Sequence, residues 1–484
     1  MMHIVKHILL SIYIGVLLLG HSAFADRILM VTEATFPPYE YHEGEEIKGI
    51  DPEIMNEVAK RMNKKLVVED MSFDSVITAV VSGKADVAAS GITITEERKK
   101  QVDFSLPYVE AAQVIVVKKD SAIQSADDLK GKRIGVQHGT TGDTYVTKNI
   151  QQPERFPNAA LVISALTAGK IDVAVIDQDP AKMFLAKEKE LQILPKPLVM
   201  EQYAIAVKKG NQELLNRINS TILDLQSTGK LKEICAKHTN VILNQAKTTP
   251  NAPTGFWAEL KDDFNTNFIR ESRWKYLVEG FFITIEISFF SVLVGIFMGF
   301  IVAVIRSTYD KTGKLRFLNA LCKIYLTVIR GTPVVVQLLI IYFVIFGSVD
   351  ISKIIVAIVA FGFNSGAYVA EIIRSGIMSI DKGQFEAGRS LGLNHTQTML
   401  YIILPQAFKN VLPALGNEFI VLLKETSVSG YIALADLTKG GDIIRSQTYT
   451  AFLPLMAVAI IYLAIVMLFS HLLNKLEQRL KNNE

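Results

Sequence analysis

The sequence predicts two kinds of structure in one chain: a two-lobed α/β domain followed by an all-α transmembrane domain of five spans. Short β-rich segments alternate with helical patterns through about the first half of the 484 residues, as they do in parallel sheets with crossover helices. Long apolar runs with few charges fill the second half, as expected for membrane spans. A stretch with neither pattern separates the two halves.

Composition narrows the class of protein. Hydrophobic residues make up 50% of the chain and the formal net charge is only +3, so nothing in the charge favours a nucleic-acid partner. Two cysteines, Cys235 and Cys322, are too few for a disulfide framework. The length is sufficient for two or three domains.

The first residues have the pattern of an export signal. Lys6 precedes an apolar run from Ile8 to Leu19, and the small-x-small sequence AFA follows at 23–25. The run is about 12 residues long, whereas a membrane-spanning helix needs ~20. The pattern favours a cleaved signal at 1–25 over a retained anchor, and either one predicts that the next domain is exported.

Residues 26–245 are predicted to form the α/β domain. Segments such as RILMVTEA, RIGVQ and IDVAVI alternate with helical patterns such as PEIMNEVAKRMNK, and about 220 residues are enough for two lobes. Two β-rich segments, 112–119 and 202–209, fall where the chain would cross between lobes, so they are natural hinges. They predict lobe 1 at about 26–116 and 205–245, and lobe 2 at about 117–204.

The membrane domain is predicted at 273–484, after a linker at 246–272 that is rich in Pro, Thr and Asn and holds a short amphipathic helix around Trp257. Five buried core helices are the alternative to five spans, but the runs are long and nearly uncharged. Basic residues in the 306–316 loop and in the C-terminal tail are expected on the inner side, which places the α/β domain outside. The five apolar runs lie near 277–305, 321–347, 352–378, 400–424 and 449–473.

A polar stretch, QFEAGRSLGLNHTQTMLYIILP, occupies 384–405 between the third and fourth predicted spans. Its spacing resembles the EAA loop of ABC-importer permeases, with Gly388 where that pattern has alanine. The resemblance implies a short helix that docks in a groove of a separate cytoplasmic ATPase, with Glu386 near the entering turn and Gly392 in a tight turn at its end. An ordinary amphipathic connector is the alternative. The matching residues are Glu386, Ala387, Gly392, Ile402, Leu404 and Pro405.

Other segments resemble the polar amino-acid branch of these importers. The permease-like segments are RGTPVVVQLLIIYF at 330–343 and AYVAEIIRSGIMSIDKGQFEAGRSLG at 367–392. EATFPPYEY at 33–41, SGITITEERKKQVDFSLPY at 90–108, VQHGTTGD at 136–143 and IDVAVIDQDPA at 171–181 resemble the matching solute-binding proteins. The resemblance implies a bilobed periplasmic-binding-protein-like domain fused to its own permease in a bacterial inner membrane.

The resemblance also implies partners. The sequence has no Gly-x-x-x-x-Gly-Lys-Ser/Thr phosphate loop, so no cofactor is expected in this chain and ATP is expected to be hydrolysed by a separate dimeric ATPase. The chain would therefore be a transporter subunit and not itself an enzyme. Five spans form only half of a transport pathway through the membrane, so a second copy of this chain or a partner permease is required. The fusion of the binding domain to the permease favours a second copy.

A free amino acid needs a fixed cation for its carboxylate and a fixed anion for its ammonium group. Arg98 can hold a carboxylate with two parallel hydrogen bonds, although EERKK alone is typical of a solvated helix face. Thr141, at a predicted helix N-terminus, is expected to meet the carboxylate from the other lobe, with a plain helix cap as the alternative. By family position Asp177 is the ammonium partner, and Asp179 is the competing residue.

The resemblance supplies the other expected contacts. Gly91 and Thr93 are expected to bind the backbone of the amino acid, and Ser90 to line the pocket. Phe36 and Phe73 are expected to sandwich its side chain, although each phenylalanine alone is more often a core residue.

Glu33, at the end of the first strand, bears on the substrate. An acid there can pair with a cationic side chain or accept from an amide, which favours arginine or lysine ahead of glutamine. A ligand-gated channel would place its spans between the lobes, and a membrane-tethered sensor would need a larger cytoplasmic domain. Here both lobes precede every predicted span, and the C-terminal tail is short.

Overall fold

The computed structural model describes residues 27–44, 46–186, 188–247, 256–347, 349, 351–448, 450 and 452–481. The predicted export signal at 1–25 and residues 248–255 of the predicted linker lie outside this part of the chain. The described chain forms two compact units: one holds the α/β part up to residue 274 together with the described residues of 347–351 and 442–454, and the other holds the remaining helices.

The α/β unit is built from strands and short helices in alternation. The strands, numbered along the chain, are β1 (Arg27–Thr32), β2 (Thr35–Phe36), β3 (Glu40–Glu43), β4 (Glu46–Lys48), β5 (Lys65–Asp70), β6 (Val87–Ala88), β7 (Val102–Phe104), β8 (Val109–Lys118), β9 (Ile134–Gln137), β10 (Glu154–Phe156), β11 (Val173–Asp177), β12 (Leu191–Ile193), β13 (Val199–Tyr203) and β14 (Ala206–Lys208). The helices are α1 (Ile50–Arg61), α2 (Phe73–Ser82), α3 (Glu96–Lys99), α4 (Thr141–Asn149), α5 (Ala159–Thr167), α6 (Gln178–Leu185), α7 (Gln212–Ser227), α8 (Lys230–Lys247) and α9 (Phe256–Phe264), the last of which contains Trp257.

The sheet of the first lobe has the order β5-β1-β6-β14-β7. β1 runs parallel to β5 and β6, whereas β14 is antiparallel to β6 and β7. The apolar spacing of α1 and α7 buries Ile54, Val58, Ile218 and Ile222 in one core with residues of this sheet. The continuous helical pattern after residue 211 is divided at Gly229, whose φ of 76° ends α7 before α8 begins.

The sheet of the second lobe has the order β10-β9-β11-β8-β12, with β13 also paired to β8. β9, β10 and β11 are parallel, and β8 is antiparallel to its neighbours. Val114 and Val116 of β8 face one apolar cluster, and Ile115 and Val117 face another. Burial on both faces explains why this strand is a continuous apolar run.

Two antiparallel segments connect the lobes. Residues 109–113 of β8 pair with 199–203 of β13, so that Ala111 lies opposite Glu201 and Gln113 lies opposite Val199. After β13 the chain returns to the first sheet as β14. The crossings therefore begin a few residues before the predicted segments 112–119 and 202–209.

The rest of the described chain is helical. Its α-helices are α10 (Trp274–Thr312), α11 (Arg316–Gly331), α12 (Val334–Leu339), α13 (Lys353–Met378), α14 (Lys382–Ser390), α15 (His395–Thr398), α16 (Leu404–Glu425), α17 (Leu437–Thr448) and α18 (Phe452–Lys481). The π-helical segments Asn265–Ile269, Ile340–Ile345 and Met399–Ile403 and the 3₁₀ segments Arg270–Ser272 and Thr426–Ile432 precede or connect some of them.

Three helices in the described residues are long and apolar enough to cross a membrane: Trp274–Asp310, Lys353–Met378 and Phe452–Arg479. They match the first, third and fifth predicted runs. The second run corresponds to two helical segments, Arg316–Gly331 and Val334–Ile345, whose axes are bent by 113° relative to each other. The bend lies at Pro333, because proline disfavours helical backbone at the residue before it. With that pair the candidates number up to four, against five predicted, because α16 is not among them.

Small residues allow α10 and α13 to pack closely. A Cβ added at Gly295 would lie 2.7 Å from Ser365 Oγ, and one at Gly299 would lie 2.6 Å from Val369 Cγ1. In the opposite direction, a Cβ at Gly362 would lie 2.6 Å from Val294 Cγ1. Such contacts between small residues supply the dispersion energy that joins helices inside a membrane.

Candidate functional site

The two lobes meet at a narrow, almost closed cleft with a free volume of only about 10 Å³. Seven of the nine residues predicted to bind an amino acid line it, because they lie at strand ends and helix starts that meet between the sheets. Glu33 and Ser90 are not among the lining residues. The lining residues are Phe36, Phe73, Gly91, Thr93, Arg98, Gln137, Thr140, Thr141 and Asp177.

Arg98 supplies the positive charge of the cleft. The short helix α3 begins after Thr95, whose hydroxyl accepts from the Arg98 backbone N–H at 3.2 Å. The guanidinium donates to the carbonyl oxygens of Thr93 at 2.8 Å and Gly139 at 3.0 Å, and its Cζ lies 5.5 Å from the Phe73 ring centroid. Burial lowers the pKa of Arg98. Since arginine has five N–H donors, hydrogen-bonding capacity remains for a carboxylate.

Asp177 supplies a buried negative charge at the end of β11, where it is also the N-cap residue of α6. Its carboxylate accepts from the Tyr203 hydroxyl and makes no side-chain capping bond to α6. Burial, with a further contribution from Glu201, raises the pKa of Asp177 to about 7. Asp179, the competing residue, is instead bound by the Tyr39 hydroxyl at 2.8 Å and by Lys182 at 2.9 Å.

The helix α4 presents its N-terminus to the cleft. Its capping residue is Thr140, whose hydroxyl accepts from the Asp143 backbone N–H at 3.2 Å. The cap therefore does not use Thr141, whose hydroxyl accepts from Gln113 at 3.3 Å and lines the cleft. Unpaired N–H groups and the positive end of the helix dipole favour an anion at this position.

Phe36, Phe73 and Gly91 form an apolar wall of the cleft. Phe36 packs against Tyr39 and Tyr203 with ring centroids 5.7 and 6.4 Å apart. Gly91 has φ 50°, and a Cβ added there would lie 2.6 Å from the Phe36 ring. Its N–H donates to Asp51 at 3.1 Å, so a ligand contact of Gly91 would have to come from its carbonyl oxygen.

Ser90 and Glu33 lie behind this wall. The Ser90 hydroxyl donates to Glu40 and accepts from the Glu33 backbone N–H, both at 3.0 Å, so Ser90 holds the loop in place and does not line the cleft. The Glu33 carboxylate accepts from the Thr35 hydroxyl and from the Gln137 amide, the latter at 2.8 Å. Glu33 is therefore one hydrogen bond away from the cleft, with Gln137 between them.

Sequence reasoning missed Gln137, Thr140, Tyr203 and Glu201. Gln137 and Thr140 both lie inside the segment VQHGTTGD, which pointed to this loop without showing which side chains face inward. Tyr203 and Glu201 lie on the second crossing, and no local pattern shows that they approach Asp177, which is distant in the chain. These residues were not predicted because their roles depend on contacts with residues that are distant in the chain.

The EAA-like stretch has an exposed and a buried side. Glu386 and Ala387 are exposed on α14, whereas Gly388 is buried, and a Cβ there would lie 2.5 Å from Thr398 Cγ2. Gly388 thus permits the close packing of α14 on the helix that follows. Glu386 lies in the middle of α14, and the prediction that it lies near the entering turn is wrong, because Asp381 is the N-cap.

Gly392 has φ 79°, as predicted for a tight turn. The Gly392 N–H donates to Arg389 at 3.0 Å and the Leu393 N–H donates to Gly388 at 3.1 Å. These two bonds form a Schellman motif, in which a left-handed residue ends a helix.

A bilobed cleft with a guanidinium and a buried carboxylate, followed by helices that can cross a membrane, defines an integral membrane transporter subunit that carries its own solute-binding domain. Residues 28–241 match the family described as bacterial extracellular solute-binding proteins, family 3. Residues 288–482 match the family described as binding-protein-dependent transport system inner membrane component. The chain belongs to both families and is the fused binding and permease component of an ABC importer for polar amino acids.

Individual relatives match one half each. The glutamine transport system permease protein GlnP of Escherichia coli strain K12 is 38% identical over 208 residues, which are 42% of this chain and 93% of that protein. A mutant of the arginine-binding protein ArgBP from T. maritima is 41% identical over 44% of this chain and 95% of its own, with a TM-score of 0.43. AbpA from Streptococcus pneumoniae, bound to L-arginine, is 30% identical over 45% and 96%, also with a TM-score of 0.43.

These families are components of ABC transporters, so the chain is not an enzyme and ATP hydrolysis belongs to a separate ATPase subunit. An amino acid is the ligand and the ATPase is a partner.

Proposed function

We propose that the chain binds and imports a cationic amino acid, arginine or lysine. In this proposal Arg98, Thr141 and the N-terminus of α4 bind the carboxylate, and Asp177 binds the ammonium group. Phe36 and Phe73 flank the side chain, and its cationic end reaches toward Glu33.

The observation that carries the proposal is the position of Glu33. Its carboxylate is buried and joined to the cleft through Gln137 at 2.8 Å. A guanidinium or ammonium group could take the place of the Gln137 amide as donor, and the charge-assisted hydrogen bond would be the stronger one. The acidic groups Glu33 and Asp177 also outnumber the single basic group, Arg98, which favours a ligand with a net positive charge.

Glutamine is the second candidate. Gln137 lines the cleft, and its amide can pair with the amide of a glutamine side chain. The E. coli relative of the permease half is named a glutamine permease. A glutamine site would need only neutral hydrogen bonds at this end of the cleft.

Titration of the full chain in lipid nanodiscs with L-arginine, L-lysine and L-glutamine separates the two candidates. We expect Glu33→Gln to weaken arginine binding about tenfold or more, the size of a lost charged pair in a desolvated site, and to change glutamine binding little. Glu46→Gln, an exposed change in the same lobe, is the control and should leave both affinities unchanged. Strong binding of glutamine without arginine by the unaltered chain would reject the cationic assignment.

The assembly is also part of the proposal. Two copies of this chain and a dimer of ATPase subunits would form the importer, with the solute-binding domain outside the bacterial inner membrane and the C-terminus inside. α14 and the turn at Gly392 would dock on the ATPase through the exposed residues Glu386 and Ala387, while Gly388 would serve the coupling by packing α14 against the next helix. The exposed side chains of Glu386 and Ala387 and the close packing behind Gly388 support this role.

A further inference from the structure

A buried carboxylate lies on the hinge between the lobes. Glu201, on β13, is only 6% exposed. Its Oε2 accepts from the Thr93 hydroxyl at 2.9 Å and from the Gln113 amide at 3.3 Å. Its Oε1 is buried and, within the described part of the chain, has no hydrogen-bond partner. A buried charged oxygen without a partner is unfavourable, which indicates that compensation comes from elsewhere.

Glu201 joins residues of both lobes. Gln113, on the other hinge strand, donates both to Glu201 and to the Thr141 hydroxyl, each at 3.3 Å. Thr93 from the first lobe and Thr141 from the second both line the cleft. The side chains of Thr93, Glu201, Gln113 and Thr141 therefore form a continuous hydrogen-bonded chain through the hinge, here called the hinge chain.

Gln113 is fixed within the hinge chain by the helix beside it. A Cβ added at Gly142 would lie 2.5 Å from Gln113 Oε1, so the side-chain amide is in close contact with the first turn of α4. Because this amide donates to both residues, a displacement of Glu201 would also alter the hydrogen bond to Thr141. The relative position of the two cleft threonines therefore depends on Glu201.

Glu201 also acts on the charges of the cleft. The charged and titratable groups that face Asp177 are Tyr203 and Glu201 from β13 and Arg98 from α3. Arg98 donates to two carbonyl oxygens and to no carboxylate in the described residues. The guanidinium nearest to the two buried carboxyl groups, Asp177 and Glu201, donates to neither of them, so an incoming ammonium group can supply the charge-assisted hydrogen bonds that they lack.

We propose that Glu201 is a positioning residue of the amino-acid site: it holds Thr93 and Gln113 in place and adds a second negative charge beside Asp177, so that the cleft attracts the ammonium group common to all amino acids. The inference rests on the proposed function, because it assumes that this cleft binds an amino acid. It assigns Glu201 to the shared backbone of the ligand, in contrast to Glu33, which selects the side chain.

The first test compares affinities for two ligands. Full chain in lipid nanodiscs is titrated with L-arginine and L-glutamine by calorimetry. Glu201→Gln should weaken whichever ligands the unaltered chain binds by a similar factor, about tenfold or more, since a desolvated charge is removed. Glu110→Gln is the matched control, because Glu110 is an exposed acid on the paired hinge strand, opposite Gln202, and should change affinity less than about twofold.

The second test is the pH profile, which a scaffolding role alone would not move. Glu201 contributes to raising the pKa of Asp177, so Glu201→Gln should shift the midpoint for loss of binding to lower pH. Glu201→Asp keeps the charge and should keep the midpoint of the unaltered chain, even if its shorter side chain lowers affinity. Glu201→Asp also serves if Glu201→Gln does not fold.

The outcomes are distinguishable. Wild-type affinity and an unchanged midpoint in Glu201→Gln would overturn this inference while leaving the proposed function intact. So would a lowered affinity with an unmoved midpoint, or an equal shift in Glu201→Asp and Glu201→Gln. If the unaltered chain binds none of L-arginine, L-lysine and L-glutamine, the proposed function itself fails.

Discussion

Arg98 shows how the fold changes the meaning of a charged residue. In the sequence it belongs to EERKK, which is typical of a solvated helix face, and Glu96 and Lys99 on the same helix do form an exposed ion pair at 2.8 Å. Arg98 alone turns inward, because Thr95 caps the helix and Phe73 provides a surface on which the guanidinium stacks. Adjacent residues of one short helix thus have unrelated roles.

We predict that Arg98→Ala weakens binding of the amino acid by ~3 kcal/mol or more, as expected when one partner of a desolvated charge pair is removed. The loss should be similar for arginine and for glutamine, because both carry the same carboxylate. Calorimetric titration of the full chain measures it. Arg133→Ala is the control, since Arg133 forms an exposed ion pair with Asp172 in the second lobe. Near-wild-type affinity of Arg98→Ala would remove Arg98 from the site.

Asp177 makes binding dependent on pH. Its pKa of about 7 means that the carboxyl group is largely protonated below neutral pH and must lose that proton to bind an ammonium group. Affinity should therefore fall as pH drops below 7, by up to about tenfold per pH unit once the group is mostly protonated. Calorimetry in buffers of different ionisation enthalpy should show proton release on binding near pH 6. An affinity that is constant between pH 5 and pH 8 would contradict this prediction.

Most of the cleft residues were predicted through the resemblance to solute-binding proteins, which short local segments of the sequence carry. The resemblance pointed to Asp177 after a strand and to Thr141 at a glycine-flanked helix start, and both residues line the cleft. What local motifs cannot show is the partner across the cleft, so the bond from Gln137 to Glu33 was not predicted. Ser90 was misplaced for the same reason, since only the fold directs its hydroxyl to Glu40.

At the scale of elements, α14 is held by two different glycines. A Cβ added at Gly388 would collide with Thr398, whereas one added at Gly392 would meet no atom within 4 Å, so that Gly392 supplies only its positive φ. A side chain at residue 388 would collide with the neighbouring helix, and one at 392 would strain the turn that ends α14. The docking helix therefore depends on packing at one residue and on backbone conformation at the other.

We predict that Gly392→Val destabilises this turn by roughly 1–2 kcal/mol and reduces ATP-driven uptake, while the affinity for the amino acid is unchanged. Gly313→Val is a matched control, because Gly313 also has a positive φ, of 65°, and a Cβ added there would meet no atom within 4 Å, but Gly313 lies outside the EAA-like stretch. Uptake is measured in proteoliposomes with the ATPase supplied. Equal uptake by Gly392→Val and the unaltered chain would show that the stretch is only a connector.

The elements of the α/β unit followed from the sequence more closely than those of the helical unit. Alternating patterns and turn glycines fix strands and helices locally, and the buried run of β8 was recognisable as a strand. In the helical unit nearly every residue of a run is apolar, so periodicity does not show where a helix bends. Pro333 was the local signal for the 113° bend, whereas nothing local marks the π-helical segments at 340–345 and 399–403.

At the scale of the whole molecule, the fusion replaces an encounter between two proteins by a covalent link. A tethered domain is held at an effective concentration that is typically about millimolar for short flexible linkers. A separate solute-binding protein would need a bulk concentration of about millimolar to deliver the amino acid to the membrane unit at the same rate. The affinity of the cleft is a separate property, which depends on residues such as Arg98 and Asp177 and not on the link.

Cleavage of the link should therefore separate binding from transport. We predict that a protease site inserted at 248–255, within the predicted linker, leaves uptake unchanged until the protease is added. Cutting should then lower uptake about 100-fold or more at micromolar protein, because the released domain falls from its effective concentration to its bulk concentration. Affinity of the released domain for the amino acid should equal that of the intact chain.

Uptake should return when the released domain is added back toward millimolar concentration. The control is the protein with the same insertion, to which no protease is added. Full uptake after complete cleavage and washing would show that the domain stays bound to the membrane unit without the link.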